Sequence, residues 1–340
     1  AWEHIAEYDM SISKYFNQIF SEDLDYRIYR KNHTLKYGCN PHQDRSAIHT
    51  TYAINDINSD HELPFTILNG TMGYINVLDA INSWQLVYEL GTTLNTVAAA
   101  SFKHTSPAGV GIGSIRNNGI DTLNELSPNL RRAYFLNSEQ YYDETCIAYI
   151  RARNSDPMSS FGDFLAIYGI VDKHLALLIK REVSDGIIAI GYTNDALEIL
   201  KSKKRGKYII LKGRSVTNNM VEYREIGGLC ISQKPNNAIT DYSYLTNIVT
   251  ENRELTEIDR VNLILANTSL KYAQSNSVAY SYDGQLVGLG AGQQSRVDCV
   301  KLAGRKTDMW FLRQHPKVLA LHSKFVPKTK RQVKVNACIR

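Results

Sequence analysis

Short apolar runs alternate along this chain with longer segments in which apolar residues recur at helical spacing. The runs predict buried strands at 65–68, 96–103, 164–171, 186–190 and 208–211. The periodic segments predict helices at 1–20, from Ile75 to a stop at Gly91, at 139–153, from Asn194, from Thr256, and from Arg296 to near Gly304. Because strands alternate with helices, the pattern predicts a layered α/β fold.

The clearest local signal is a β-hairpin near the end of the chain. Two alternating runs, 277–282 and 285–290, are separated by Asp283-Gly284, a dipeptide typical of two-residue hairpin turns. Gly288, Gly290 and Gly292 then lead into the last predicted helix. Glycines at this spacing indicate a tight strand exit more often than a phosphate-binding loop, although Arg296 just beyond them would suit a phosphate.

A reactive pair of side chains stands where the predicted strand 96–103 ends. Lys103 and His104 follow an apolar run, and Pro107, Gly109 and Gly111 are expected to prevent the strand from continuing. A neutral histidine can accept a proton near neutral pH, and an adjacent ammonium can stabilise a developing oxyanion. The pair would therefore suit acyl or formyl transfer to an amine. A bare Lys-His dipeptide, however, is more often a solvated lysine beside a turn-capping histidine.

Composition narrows the class of protein. The 340 residues are 43% hydrophobic and 21% charged, which is ordinary for a globular chain long enough for two cores. The net charge of +5 suggests weak attraction for small anions and no nucleic-acid footprint. Five scattered cysteines without a C-x-x-C pair indicate reduced thiols and a cytoplasmic location. No apolar stretch reaches the roughly 18 residues that a membrane span needs.

Other chemistries are disfavoured by missing motifs. Ser106 and Ser160 have no G-x-S-x-G context, which argues against a serine hydrolase. His42, His49 and His61 are not at zinc-ligand spacing, which argues against zinc-dependent nucleobase deamination and predicts no catalytic metal.

Several ordered motifs together resemble a known family. They are KYGCNPHQ, ILNGTMGYINVLDAINSWQLV, AAASFKHTSPAGVG, RARNSDPMSSFGDFLAIYGIVD, REVSDGIIAIGY, KYAQSNSVAYSYDGQLVGLGAGQQSR and KLAGRK, and they span residue 35 to about residue 320. This set resembles the aminoimidazole carboxamide ribonucleotide (AICAR) formyltransferase part of the bifunctional purine biosynthesis enzymes that also carry IMP cyclohydrolase. The resemblance implies transfer of a formyl group from 10-formyltetrahydrofolate to the 5-amino group of AICAR, giving the formamido nucleotide FAICAR.

The resemblance also implies roles for individual residues. His104 would accept the proton of the attacking amine, Lys103 would stabilise the transition state, and Asn276 would hold the AICAR carboxamide. AICAR-binding positions fall on Lys36, Tyr37, His42, Asn69, Gly162, Asp185 and Arg296, and a folate-contacting position falls on Val297. Lys36 departs from the family, which usually has arginine there. The bidentate phosphate contact that an arginine can make would be replaced by the single ammonium of Lys36.

The resemblance further implies an arrangement of domains and partners. Residues 1–34 would be the end of the cyclohydrolase domain and a linker, 35–207 a first formyltransferase subdomain, and 208–340 a second one whose carboxy-terminal part is missing from this chain. The expected fold is a pair of cytidine-deaminase-like α/β subdomains without the zinc site. A homodimer with shared active sites is expected, and a structural potassium ion occurs in some relatives. Alternatively, the chain is a catalytically silent module for nucleotide binding or dimerisation.

Overall fold

The computed structural model describes residues 2–20, 28–52, 63–117, 120–121, 125–137, 139–216 and 221–339. The first residue, most of the expected connector after residue 20, His61 and Arg340 lie outside these ranges. The strands are β1 Ile28–Thr34, β2 Ala47–Tyr52, β3 Phe65–Asn69, β4 Ala98–Lys103, β5 Ser106–Ile112, β6 Arg116–Asn117, β7 Ile120–Asp121, β8 Asp163–Val171, β9 Ser184–Tyr192, β10 Ile209–Gly213, β11 Glu222–Ile226, β12 Leu229–Gln233, β13 Ser277–Tyr282 and β14 Gln285–Ala291.

The helices are α1 Trp2–Phe20, α2 Tyr74–Leu94, α3 Pro128–Ala133, α4 Glu144–Ser155, α5 Lys173–Lys180, α6 Asn194–Lys201, α7 Glu257–Lys271, α8 Arg296–Leu312, α9 Pro316–Leu319 and α10 Arg331–Ile339. Short polar side chains begin several of them by accepting a backbone N–H of the first turn. Asp143, Asp172 and Thr193 do so for α4, α5 and α6, and Thr256 forms a reciprocal capping box with Asp259 at α7.

One large mixed sheet organises the fold. Its eight strands lie in the order β13-β14-β5-β4-β8-β9-β10-β3. Strands β8, β9 and β10 are mutually parallel, whereas β3 pairs antiparallel with β10, and β4 pairs antiparallel with both β5 and β8. The pairs β1-β2, β11-β12 and β6-β7 form separate small sheets. The prediction of a layered α/β fold is confirmed at this level.

The two faces of the large sheet bury two hydrophobic cores. Alternate residues of the central strands point to opposite faces, so Ala99, Leu165 and Ile187 join α3 to α6 in one core. Their neighbours Ala100, Phe164 and Ile188 join α2 and α7 in the other. This double burial explains why the central strands appear in the sequence as continuous apolar runs.

The structure corrects three element boundaries. The chain does not leave the sheet after Lys103, because residues 106–112 turn back as β5 and pair with β4. Helix α2 continues past Gly91 to Leu94, with Asn95 in the left-handed conformation after it. Helix α8 continues through Gly304 to Leu312. Glycine alone was therefore a poor stop signal at these positions.

The expected boundary between residues 207 and 208 stays a prediction, and strands from both sides of it share the large sheet. Among the helices in the described ranges, none has both the length and the apolar composition required to cross a membrane.

Candidate active site at one edge of the sheet

Strand register brings the predicted site residues to a single edge of the large sheet. Strand β4 ends at Lys103, and its antiparallel neighbour β8 begins there, with Phe102 opposite Phe164. The parallel strands β9 and β10 begin at the same edge, and β3 ends there with Asn69 opposite Ile210.

The same edge continues on the other side of β4. Strand β5 begins there at Ser106, and β14 and β13 meet there through the pairing of Ala291 with Ser277. Asn276 and Arg296 adjoin this end of the hairpin. Loops from across the sheet therefore contribute to one surface.

His104 occupies a tight turn that the sequence pattern did not reveal. With Thr105 it forms the two-residue connection between β4 and β5, and both residues have positive φ, 53° for His104 and 64° for Thr105. Two successive positive φ angles define the turn type that matches the twist of a hairpin, usually built from Asn or Gly. Side chains such as histidine and threonine adopt this conformation at a cost, so the turn requires support from its surroundings.

Asp79 of α2 provides that support. Its side chain is buried, with 5% of its surface exposed, and its Oδ1 accepts the backbone N–H of Thr105 at 2.7 Å. Burial raises the pKa of Asp79 to about 6, although the hydrogen bond from Thr105 and the charge of His104 act in the opposite direction. A buried carboxylate thus fixes the turn that carries His104. A single aspartate in an amphipathic helix gave no sequence signal for this role.

Lys103, the last residue of β4, is held by the loop that precedes β8. Its Nζ donates a hydrogen bond to the carbonyl oxygen of Phe161 at 2.5 Å. Gly162 follows with φ of +80°, and a Cβ added to it would lie 3.8 Å from that Nζ. Gly162 is therefore needed for its backbone conformation more than for space. The structure brings Lys103, His104 and Gly162 together.

A buried polar network lies directly behind Gly162. The Oδ2 atom of Asp163 lies 2.5 Å from Ser101 Oγ and 2.9 Å from Nη1 of Arg153. Desolvation raises the pKa of Asp163, while the positive charge of Arg153 opposes that shift. Because Ser101 belongs to β4 and Asp163 to β8, the network fixes the two strand ends that carry Lys103 and Gly162.

Lys103 and His104 line a cavity of about 430 Å3. Lys103, His104, Ser159, Gln274 and Lys306 contribute polar groups to its walls. Its apolar lining residues are Pro107, Ala108, Leu289, Ala291 and Leu302. A cavity of this volume, with polar groups and apolar side chains in about equal share, suits a small organic ligand.

Asn276 and Arg296 contact each other beside this cavity. The Nη2 of Arg296 donates to Oδ1 of Asn276 at 2.8 Å, and Nδ2 of Asn276 donates to the carbonyl oxygen of Gln293 at 3.2 Å. Val297, with 60% of its surface exposed, follows Arg296 in the first turn of α8. The predicted amide and guanidinium are thus adjacent, and their hydrogen bond must rearrange when a ligand takes either group.

The remaining predicted residues lie on the other side of β4, toward the outermost strand β3. The Asn69 amide donates to the carbonyl oxygens of Gly206 and Tyr208, and Asp185 forms an ion pair with Lys204. The Lys36 Nζ lies 5.7 Å from the ring centre of Tyr37. His42 is exposed in the same loop. Asn69 and Asp185 are therefore engaged within the chain.

Asn276 and Asn69 lie on opposite sides of Lys103 along the row of strand ends. Neighbouring strands are about 4.8 Å apart, so three strand spacings place Asn276 roughly 14 Å from the end of β4, and four place Asn69 roughly 19 Å away in the other direction. The predicted residues form a row along the sheet edge, with Lys103 and His104 near its middle.

The described residues contain a cluster of potential metal ligands away from the candidate site. One cluster with ligand-type atoms within 4.8 Å of one another consists of Asp143, Cys146 and Asp172. Both carboxylates already cap helices, and burial raises the pKa of the Cys146 thiol. Asp172 follows the carboxyl end of β8, far from Lys103. The structural potassium ion stays a prediction.

Comparisons with known proteins add a family relationship. The family model described as AICARFT/IMPCHase bienzyme matches residues 1–306. A bifunctional purine biosynthesis protein PurH from Elusimicrobium minutum is 29% identical over 329 residues, covering 95% of this chain and 54% of that protein. A protein of the same name from Clostridium botulinum is 29% identical over 300 residues, covering 88% of this chain and 51% of that protein. The chain spans about half the length of these curated relatives.

Proposed function

The chain belongs to the AICARFT/IMPCHase bienzyme family, and from that membership we propose that it carries the formyltransferase site of such an enzyme. The reaction would transfer a formyl group from 10-formyltetrahydrofolate to the 5-amino group of AICAR, giving FAICAR. The parent protein would also carry IMP cyclohydrolase, act in purine biosynthesis in the cytosol and form a homodimer.

The arrangement of Lys103 and His104 carries this proposal. His104 lies on a turn fixed by Asp79, and its imidazole accepts a proton from the AICAR amine as that nitrogen attacks the formyl carbon. The formyl oxygen gains negative charge in the same step, and the Lys103 ammonium, held by the Phe161 carbonyl, stabilises it. The tetrahedral intermediate then collapses, so that the carbon–nitrogen bond to the folate breaks and tetrahydrofolate leaves with a proton.

The neighbouring groups support binding of both substrates. Asn276 would hold the carboxamide of AICAR, and Arg296 would be a further AICAR-binding group, once their mutual hydrogen bond opens. Tyr37, Gly162 and the other family positions would complete the nucleotide site. The cavity of about 430 Å3 has the volume to receive the ring end of a folate between its polar groups and its apolar side chains. Val297 would contact that folate.

A second candidate is nucleotide binding without turnover by this chain. One observation favours it. Several predicted binding residues contact other groups of the chain and are spread along the strand ends, namely Asn69, Asp185 and the Asn276–Arg296 pair. A site of this kind would be completed by another copy of the chain, in keeping with the proposed homodimer.

A turnover assay tests the first candidate. Purified protein is mixed with AICAR and 10-formyltetrahydrofolate, and FAICAR is quantified by chromatography with mass detection. The expected result is product formation that falls by at least about 100-fold in His104→Ala, the loss typical of a missing general base. An active His104→Ala variant with an unchanged rate would contradict the mechanism.

The chain contains a matched control. Lys173 and His174 form a second Lys-His pair, at the start of α5 and therefore at the opposite edge of the sheet. Lys173→Met and His174→Ala should leave turnover unchanged. If the wild-type chain gives no FAICAR but calorimetry detects AICAR binding, the second candidate is supported. Absence of both turnover and binding would overturn both candidates for this chain.

A further inference from the structure

A second cavity, of about 190 Å3, adjoins the one at Lys103. The two cavities share Ser159 and Lys306 in their walls. The second is lined by the segment 155–159, by α8 and by Arg313 immediately beyond it. Its chemistry differs from that of the first, because Arg305, Lys306 and Arg313 place three cations around it.

Arg313 is the most unusual of these cations. It is buried, with 3% of its surface exposed, and its Nη1 donates to the carbonyl oxygen of Asn154 at 2.9 Å. Its Nη2 is buried without a hydrogen-bond partner, and in the described part of the chain no carboxylate forms an ion pair with it. A buried guanidinium with an unpaired N–H is costly unless an anion completes it. The guanidinium also lies 5.1 Å from the ring centre of Tyr134. It therefore adds positive charge to the wall from inside the protein.

The acidic lining residue, Asp156, acts on Arg313 through its charge but forms no ion pair with it. Asp156 accepts hydrogen bonds from the Ser159 backbone N–H at 3.0 Å and from its hydroxyl at 2.6 Å. Its Oδ2 also pairs with Lys306 Nζ at 3.0 Å. Burial acts to raise the pKa of Asp156, but these contacts together outweigh it and lower that pKa. The charge of Asp156 is therefore engaged with Lys306. Against three cations the cavity therefore has one carboxylate, and Arg305 and Arg313 remain without an acidic partner in the described residues.

The other walls are apolar. Met158, Met309 and the ring of Trp310 line the cavity. Methionines adapt to irregular shapes and contact aromatic rings favourably. A cavity of about 150 Å3 can accept benzene, so the volume here suits one ring carrying one carboxylate.

We propose that this cavity, bounded by Arg305, Lys306, Arg313 and Trp310, binds a small carboxylate with an apolar body about the size of benzoate. The carboxylate pairs with the cationic side chains of Arg305 and Lys306, and the ring packs on the methionines and Trp310. This site does not depend on the formyltransferase proposal, because it needs only binding and no turnover.

Nuclear magnetic resonance titration of the whole chain tests the proposal. Benzoate is the probe, and the indole N–H signal of Trp310 is the readout, with Trp2 and Trp84 as internal references. The expected result is a saturable shift of the Trp310 signal with a dissociation constant of about 1 mM or tighter. Benzamide, which has the same shape without the charge, should shift it at least about 10-fold less at equal concentration.

Substitutions test which cationic side chains benzoate binding requires. Lys306→Met and Arg305→Met keep the length of the side chains and should each weaken benzoate binding about 5-fold or more. Lys301→Met, on the exposed side of the same helix, is the matched control and should bind as the wild type does. The proposal is overturned if benzoate leaves the Trp310 signal unmoved, if benzamide binds equally well, or if the Lys301 variant weakens binding as much as the other two. Equally tight binding of inorganic phosphate would overturn the requirement for an apolar body.

Discussion

Replacing Asp79 by asparagine tests how much the buried charge of Asp79 opposes folding while its oxygen supports the turn that carries His104. The asparagine side-chain oxygen can still accept the N–H of Thr105, so the substitution removes the charge and keeps the acceptor. The pKa of Asp79 rises from its ordinary value of 3.8 to about 6 in the folded protein. A difference of about two pKa units corresponds to about 3 kcal/mol.

The sign of this effect follows from the direction of the shift. An acid whose pKa is raised by folding binds its proton more tightly in the folded state, so its ionisation opposes folding. Stability is therefore highest below pH 3.8 and decreases as the pH rises toward 6 and beyond. Of the roughly 3 kcal/mol, about 1 kcal/mol is lost between pH 5 and pH 7.

Urea unfolding of the wild type and of Asp79→Asn at pH 5, 6 and 7 measures this contribution. We expect the free energy of unfolding of the variant to rise relative to the wild type by about 1 kcal/mol between pH 5 and pH 7. Asp308→Asn, which changes an exposed carboxylate on α8, should follow the wild type at all three values. Parallel pH profiles for the wild type and Asp79→Asn would refute the reasoning.

Three further substitutions probe the surroundings of the site. Asp163→Asn leaves buried Arg153 with Glu182, at 3.8 Å, as its remaining carboxylate partner, and should lower the free energy of urea unfolding by about 3 kcal/mol; a loss below about 1 kcal/mol would show that Glu182 suffices. Gly109→Ala puts a Cβ 2.1 Å from the carbonyl oxygen of Ala152, so the thermal midpoint should fall by several degrees, and an unchanged midpoint would contradict this packing. Lys36→Arg should tighten AICAR binding a few-fold in calorimetry, and weaker binding would exclude a phosphate contact there.

Local signals in the sequence predicted the elements that depend on local physics. The Asp283-Gly284 turn is present, with φ of 52° and 70°, and Thr256 begins α7 as expected. The apolar strands were visible because both of their faces are buried. These features depend on neighbouring residues only, so one sequence suffices to find them.

Strand β5 was missed because its glycines serve packing between elements. Gly109 and Gly111 face α4 so closely that a Cβ would approach Ala152 or Arg151 within 2.4 Å. Pro107 lies beside the register shift between Ser101 and Phe102, where a ladder hydrogen bond is not required. Nothing local distinguishes such residues from a turn.

The arrangement of the site was also beyond local inference. The order of the eight strands determines that Lys103 lies between Asn276 and Asn69, and this order depends on pairings between distant segments. Asp79 contacts Thr105 across the interface between α2 and the sheet, a contact that helical periodicity could not indicate. The roles of individual residues in catalysis and binding remain predictions for the assays above.

Because β4 lies inside the sheet, the parts of the proposed site are expected to differ in local stability. Strand β4 is paired on both sides, whereas β13 and β3 are the outermost strands. Amides of β4 should exchange with solvent only through opening of much of the sheet, and amides of the outer strands through local fraying. The groups proposed for chemistry therefore lie at the end of a central strand, and Asn276 and Asn69 adjoin the outer strands, where we expect the sheet to open first. Nucleotide binding should therefore slow hydrogen exchange in the outer strands of the sheet and leave exchange in the central strands unchanged.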